Sequence, residues 1–245
     1  MCLLGVAFKT IPQHPVFLLA NREESPLRQS SEPAIIHEQT GKSNWLGGTD
    51  LQAGGTWLGV NQQHMIVAVT NRQKQQIPKT PRSRGLLCRD LLGFPDIATA
   101  SAHAQKQLQT GNYAGCNFLL AAPDAAVSIE AGDKFRITPL PPGIHLMANS
   151  DLNDPLDPRI HRVRLLLEGI DSQLAEDWIA AAKKICGLTG EGSEPAICRT
   201  GSDWGTVSSS IIVLADSANQ STFLHAAGPP SSTPYNDFSN MFQQL

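Results

Sequence analysis

Apolar residues are distributed in two ways along this chain: as short consecutive runs, and as longer stretches in which they recur every third or fourth position. Cys2 to Phe8 and Val16 to Asn21 are runs of the first kind. Lys9 to Pro15, with Pro12, His14 and Pro15, joins them, which predicts a buried β-hairpin. Trp45-Leu46-Gly47-Gly48 and Gly54 to Asn61 lead into His64 to Asn71, predicting a second hairpin closed near Asn61-Gln62-Gln63. Arg82 to Leu92 and Asp96 to Gln109 carry helical spacing on either side of Gly93-Phe94-Pro95, and Gly111 stops the second helix. Strand patterns return at Asn117 to Ala122, Ala126 to Ala131, Lys134 to Thr138 and Ile144 to Ala148, a meander turning at Pro123-Asp124 and Gly132-Asp133. Pro158 to Gly169 and Gln173 to Gly187 form another helical pair, and Gly205 to Ala215 with Ser221 to Ala227 form a closing hairpin.

The predicted order is ββ, ββ, αα, ββββ, αα, ββ, an α+β chain with mostly antiparallel sheets. Strands apolar on consecutive residues suit sheets covered on both faces, and two packed sheets with helical pairs outside satisfy that demand. No linker rich in Pro, Gly or Ser divides the chain, so a single domain over residues 1–245 is expected, with residues 228–245 loosely held as a tail.

Charge narrows the functional classes. Lys and Arg total 19 against 22 Asp and Glu, a net charge of −3, which excludes a dedicated nucleic-acid binder. No stretch reaches the roughly 18 apolar residues of a membrane span, and Met1 to Phe8 has no basic segment before its apolar run. A cytoplasmic protein with a small-molecule partner is expected. Cys2, Cys88, Cys116, Cys186 and Cys198 are scattered and form no C-x-x-C, which points to a reducing compartment without a structural metal or cofactor.

Cys2 carries the most informative chemistry. Removal of Met1 by an aminopeptidase puts a thiol, which ordinarily titrates at about 8.5, on the same residue as an α-amine, which does so at about 7.7–8.0. One residue then holds both nucleophile and base. The same position also suits a small hydrophobe starting a buried strand. Asn21-Arg22-Glu23-Glu24 ends the second strand, beside the start of the first. There an arginine can hold a thiolate, carboxylates can orient the amine and an amide can donate to an oxyanion; a solvated strand end gives the same pattern. Arg72, Lys74, Lys79, Arg82, Arg84 and Arg89 could attract a phosphate-bearing substrate such as a coenzyme A ester, or form a solvated loop and helix face.

Met-Cys at the start, Ala20-Asn21-Arg22-Glu23-Glu24, Gly54-Gly55-Thr56-Trp57-Leu58-Gly59-Val60-Asn61, Val69-Thr70-Asn71-Arg72, Ala148-Asn149-Ser150 and Gly205-Thr206-Val207-Ser208-Ser209 occur in that order. Together they resemble the signatures of the NRDE family, related to transport and Golgi organisation protein 2. Two positions depart from that pattern: Glu23 replaces the aspartate of Asn-Arg-Asp-Glu, and Val207 stands where many relatives carry arginine, with Arg199 eight residues earlier as the candidate replacement. The family is itself similar to N-terminal nucleophile hydrolases of the choloylglycine hydrolase and penicillin V acylase type. That resemblance implies a four-layer αββα sandwich and a Cys2 thiol that attacks an amide carbonyl. It also implies Asn71 and Asn149 at the oxyanion, Asn21, Arg22, Glu23 and Glu24 around the nucleophile, and Trp57 and Arg199 against the substrate. The implied function is an amidohydrolase or acyltransferase acting on nonpeptide C–N amide bonds; the other is a non-catalytic carrier of haem, lipid or acyl-coenzyme A on the same scaffold.

Overall fold

A computed structural model describes residues 2–38 and 42–245. Strands β1 (Leu3–Ile11) and β2 (His14–Glu24) come first, followed by β3 (Ala34–Ile36), β4 (Trp45–Gly47), β5 (Leu58–Asn61) and β6 (Ile66–Asn71). Helices α1 (Arg84–Leu92) and α2 (Ile97–Leu108) precede β7 (Cys116–Ala121), β8 (Ala126–Ala131), β9 (Phe135–Pro139) and β10 (Gly143–Met147). Helices α3 (Pro158–Glu168) and α4 (Ala175–Cys186) lead to β11 (Gly205–Leu214), β12 (Thr222–Ala226) and β13 (Asn236–Asp237). The chain divides into two compact units, one of residues 1–27 and 142–239 and the other of residues 28–141 and 240–245.

In the first unit an antiparallel sheet runs in the order β10-β1-β2-β11-β12-β13. Alternation along each strand sends Leu3, Ala7, Phe17, Leu19, Leu146, Ile211 and Val213 to one face. They form one buried cluster with Ile160, Val163 and Leu167 of α3 and Trp178, Ala182 and Ile185 of α4. Phe17 meets Trp178 edge to face with ring centres 5.6 Å apart. Helix α3 starts where Asp157 accepts the backbone N–H groups of Arg159 and Ile160 and Pro158 occupies the first turn. Helix α4 has no side-chain cap, but Glu176 and Asp177 in its first turn and Lys183 and Lys184 in its last complement the helix dipole.

The second unit is an antiparallel meander, β3-β4-β5-β6-β7-β8-β9. Leu87, Cys88 and Leu91 of α1 and Ala100, Ala104 and Leu108 of α2 pack with Val67, Phe118, Leu120 and Ile129 of the sheet. Each unit is thus an antiparallel sheet backed by a helix pair, the α+β composition the hydrophobic pattern predicts.

The block Gly54 to Asn61 is built around close backbone approach. Gly54 has φ +71°, and a Cβ on Gly55 would lie 2.2 Å from the carbonyl carbon of Gly85 in α1. Thr56 N donates to that same Gly85 carbonyl at 3.0 Å. The buried Asn61 Oδ1 accepts Gln63 N and Met65 N to close the β5–β6 turn, while its Nδ2 donates to the carbonyls of Leu92 and Phe94 after α1.

Three strands escape the hydrophobic pattern. β3 and β4 are three residues long and β13 two, too short for periodicity to register. Residues 228–245 are held more firmly than the sequence suggests. β13 pairs with β12, Ser239 Oγ accepts Phe223 N at 3.0 Å, the Tyr235 hydroxyl bonds Ser209 Oγ at 2.7 Å, and Phe242 is buried.

The packing at Gly55 predicts that Gly55→Ala destabilises the protein by about 3 kcal/mol or more, because backbone rather than a flexible side chain must yield. Thermal unfolding should show a melting temperature lower by roughly 6–12 °C. A shift under about 2 °C would mean that α1 moves freely away from this loop.

Candidate active site

The site is laid out by strand register. Leu4 faces Met147 across β1 and β10, and Leu3 faces Asn21 across β1 and β2. Carried one residue towards the N-terminus, the second register sets Cys2 opposite Arg22; Asn149 lies in the bend two residues beyond the end of β10. Arg22 faces Ser208 of β11 directly. Cys2, Arg22 and Ser208 therefore occupy one row across three adjacent strands, on the face turned away from α3 and α4. Arg22 is 5% exposed and Ser208 2%, and the Ser208 hydroxyl has no hydrogen-bond partner among the described residues. Glu24, at the end of β2, shares the parity of Arg22, and its Oε1 accepts Ser25 N at 2.9 Å.

Alternation turns Asn21 and Glu23 the other way, so the four residues of the Asn-Arg-Glu-Glu segment do not all point to Cys2. Asn21 Nδ2 donates to the carbonyls of Cys186 at 3.0 Å and Ile197 at 3.1 Å, which commits its amide protons to the end of α4 and the following loop. These bonds tie the end of α4 and that loop to the sheet. The Glu23 carboxylate receives both terminal nitrogens of Arg159, Nη1 at 3.2 Å and Nη2 in a closer bond. Both side chains are buried there. Burial raises the Glu23 pKa, and Arg159 opposes that rise. No sequence motif points to Arg159, although a signal exists: with Val163 and Leu167 it falls on the apolar stripe of α3 at i, i+4, i+8, where a charged residue needs a partner.

Burial pushes the Cys2 thiol above its ordinary range, while the Glu23 backbone N–H and the Arg22 charge pull the other way. Cys2 is partly exposed, whereas Cys88, Cys116, Cys186 and Cys198 are buried. Burial also raises the thiols of Cys88, Cys116, to about 12, and Cys186, to about 11. Met1, whose removal the N-terminal amine chemistry requires, lies outside the described residues. On the same face of the sheet, Ser210 Oγ bonds His225 Nδ1 at 2.9 Å. Burial, aided by the charge of Arg22, pushes His225 down to about 4.

Arg199 lines two clefts of the first unit. One, of 410 Å³, is walled by Pro26, Thr206, Val207 and Pro229; the other, of 470 Å³, by Asp154, Leu156, Asp157 and Arg159. Asn71 and Trp57 belong to the second unit. Asn71 ends β6 opposite Cys116, and the Trp57 ring lies against Gly48. Most of the basic residues expected to attract phosphate are engaged locally. Arg72 pairs with Glu130 at 3.2 Å, Arg82 with Asp90 at 2.6 Å and Arg89 with Glu38 at 2.8 Å, while Arg84 donates to the Gly115 carbonyl and Lys74 to that of Tyr113.

The family described as Transport and Golgi organisation 2 matches residues 1–226. The chain belongs to that family. The human Transport and Golgi organization protein 2 homolog is 27% identical over 188 residues, 71% of this chain and 66% of the human protein, so the match spans just under two thirds of that relative's length. Among solved structures, a Caenorhabditis elegans N-acylethanolamine-hydrolyzing acid amidase ortholog superposes with a TM-score of 0.56 at 16% identity, covering 90% of this chain and 98% of the other. Penicillin V acylase from Agrobacterium tumefaciens gives a TM-score of 0.56 at 12% identity, covering 97% and 86%. These likenesses establish for this Transport and Golgi organisation 2 chain the fold of the N-terminal nucleophile hydrolases. No helix among the described residues is long and apolar enough to cross a membrane.

Two measurements probe the polar groups around the row. Glu23→Gln strands the Arg159 charge in the interior and should cost about 3–5 kcal/mol by denaturant unfolding, with Glu23→Leu/Arg159→Met recovering most of it; a loss below about 1 kcal/mol would show that the pair is dispensable. His225 binds a proton less readily when folded, near pH 4, than when unfolded, near pH 6.5. Its contribution is therefore full above pH 6.5 and falls away between pH 6.5 and 4, by about 3 kcal/mol. That part of the stability–pH curve should flatten in His225→Gln, and an unchanged slope would rule out His225 as its source.

Proposed function

We propose that this chain is an N-terminal cysteine amidohydrolase or acyltransferase acting on nonpeptide C–N amide bonds. The observation that supports it is the row Cys2, Arg22 and Ser208 at the end of one sheet, within a fold shared with an amidase and an acylase.

Burial favours the neutral Cys2 thiol, which suits a nucleophile that gives up its proton as it attacks. Once Met1 is removed, the neutral α-amine of Cys2 accepts that proton while Sγ bonds to the amide carbonyl carbon. The negative oxygen of the tetrahedral adduct is met by Asn149, and Arg22 stabilises the developing charge in the row. The adduct collapses by breaking the C–N bond, and the departing nitrogen takes the proton from the Cys2 ammonium. Water, or an acyl acceptor in a transferase, then adds to the thioester with the same amine as base. Glu24, on the Cys2 face, orients the amine.

One observation favours the other reading, a cytoplasmic carrier of lipid, haem or acyl-coenzyme A: the same burial that suits concerted proton transfer is what an inert, packed thiol shows. Intact mass separates the two. Protein expressed without a tag should lack Met1, and incubation with acyl amides followed by acid quench should add one acyl group that is absent in Cys2→Ala. Retention of Met1, or saturable ligand binding without adduct or turnover in either protein, would replace the hydrolase by the carrier.

A further inference from the structure

A cleft of 620 Å³ in the second unit is lined by none of the residues assigned to catalysis. It opens where the first turns of α2 pass the β7–β8 turn and the residue before β6. Ile66, at the start of β6, pairs with Ala121, while Asn71, at its other end, pairs with Cys116. The six residues of β6 thus place about 20 Å of strand between the cleft and Asn71.

The floor is apolar. Ile97, Val127 and Ile137 are packed against the core of this unit but only partly buried by it, and they line the cleft with Met65, Pro95 and Pro123. The polar lining is of one sign. Asp96 and Asp124 are exposed carboxylates, and no Lys, Arg or His lines the cleft among the described residues. Asp96 is held in place as the cap of α2, accepting Thr99 N at 2.7 Å and Thr99 Oγ1 at 2.9 Å. One turn further along the helix, Ser101 also lines the cleft. Its hydroxyl oxygen is closed off from water and has no hydrogen-bond partner among the described residues. A helical serine ordinarily satisfies this group on a carbonyl one turn back. Left unbonded, it offers an occupant of the cleft a hydrogen bond to complete.

We propose that this cleft binds a primary alkylammonium ion, with the chain on the apolar floor and the charged head among Asp96, Asp124 and Ser101. The volume falls within the roughly 300–1,000 Å³ of small-molecule sites, which combine apolar walls with a few polar groups in the same way. An ammonium carries three donors and no acceptor, which suits two carboxylates and an unbonded hydroxyl oxygen. An alkanoate of the same length meets like charge at both carboxylates, and an alkanol gains the floor without the charge. The site stands whether or not Cys2 is a nucleophile.

Calorimetry on the full chain at neutral pH and low salt, with hexylammonium, hexanol and hexanoate, tests this. Hexylammonium should bind at least tenfold more tightly than hexanoate, with hexanol between them. In Asp96→Asn/Asp124→Asn the affinity for hexylammonium should fall to that for hexanol, which itself should not change. Asparagine caps a helix as well as aspartate does, so this variant keeps α2 and loses only charge; an unchanged melting temperature verifies it. Ala98→Trp, a substitution at an exposed lining position, should fill the cleft and abolish binding of all three, whereas Cys2→Ala should bind as the wild type does. Equal affinities for hexylammonium and hexanoate, or a preference that persists without the two carboxylates, overturn the ammonium assignment. Binding that survives Ala98→Trp, binding lost in Cys2→Ala, or no binding of any of the three overturns the site.

Discussion

Successive residues of a β-strand must face opposite sides of the sheet, and in β2 this requirement governs everything around Cys2. The strand lies between β1 and β11, so each of its side chains has neighbours on both flanks. Odd positions 17, 19, 21 and 23 turn to the helices. Even positions 22 and 24 turn to the face of Cys2. A contiguous polar tetrapeptide is thereby divided between two duties. Asn21 and Glu23 fasten α4 and α3 to the sheet, and Arg22 and Glu24 are left on the side of Cys2. Because helix attachment and site geometry are set by adjacent residues of one strand, a disturbance of Glu23 is transmitted to Arg22 through the backbone itself.

Much of this arrangement is legible in the sequence, and what is not has a physical cause. Consecutive apolar residues in Leu3 to Phe8 and Val16 to Ala20 announce a hairpin buried on both faces, and hairpin geometry alone brings Cys2 beside the 21–24 segment. Which of those four residues share its face depends on register, and register depends on the turn. Here the turn contains positive φ at Lys9 and Gln13 and a bulge that periodicity does not reveal. The partner of Glu23 is hidden for another reason. Arg159 is more than a hundred residues away, and only the tertiary fold joins them. The order of the tail escapes a periodic reading because its anchors are isolated groups, Tyr235, Ser239 and Phe242.

The signature Gly-Gly-Thr-Trp-Leu-Gly-Val-Asn teaches a related lesson. Its distinctiveness comes from backbone demands, since Gly55 touches α1 and Asn61 satisfies two amides and two carbonyls of the second unit. A motif of this kind identifies a fold with great specificity while most of its residues are spent on holding strands and helix together.

The first unit is also discontinuous along the chain, with residues 28–141 inserted between its two portions. A ribosome therefore releases the β1–β2 hairpin long before either flanking strand, β10 or β11, exists. An isolated two-stranded hairpin is marginal in water, so during synthesis Cys2 and its neighbours stay exposed until residues 28–141 have been made. Contacts of such long sequence separation also make the completion of this sheet a slow, late event in folding. The burial that governs the Cys2 thiol is then acquired only when β10 and β11 arrive, and the order of events is written into the topology.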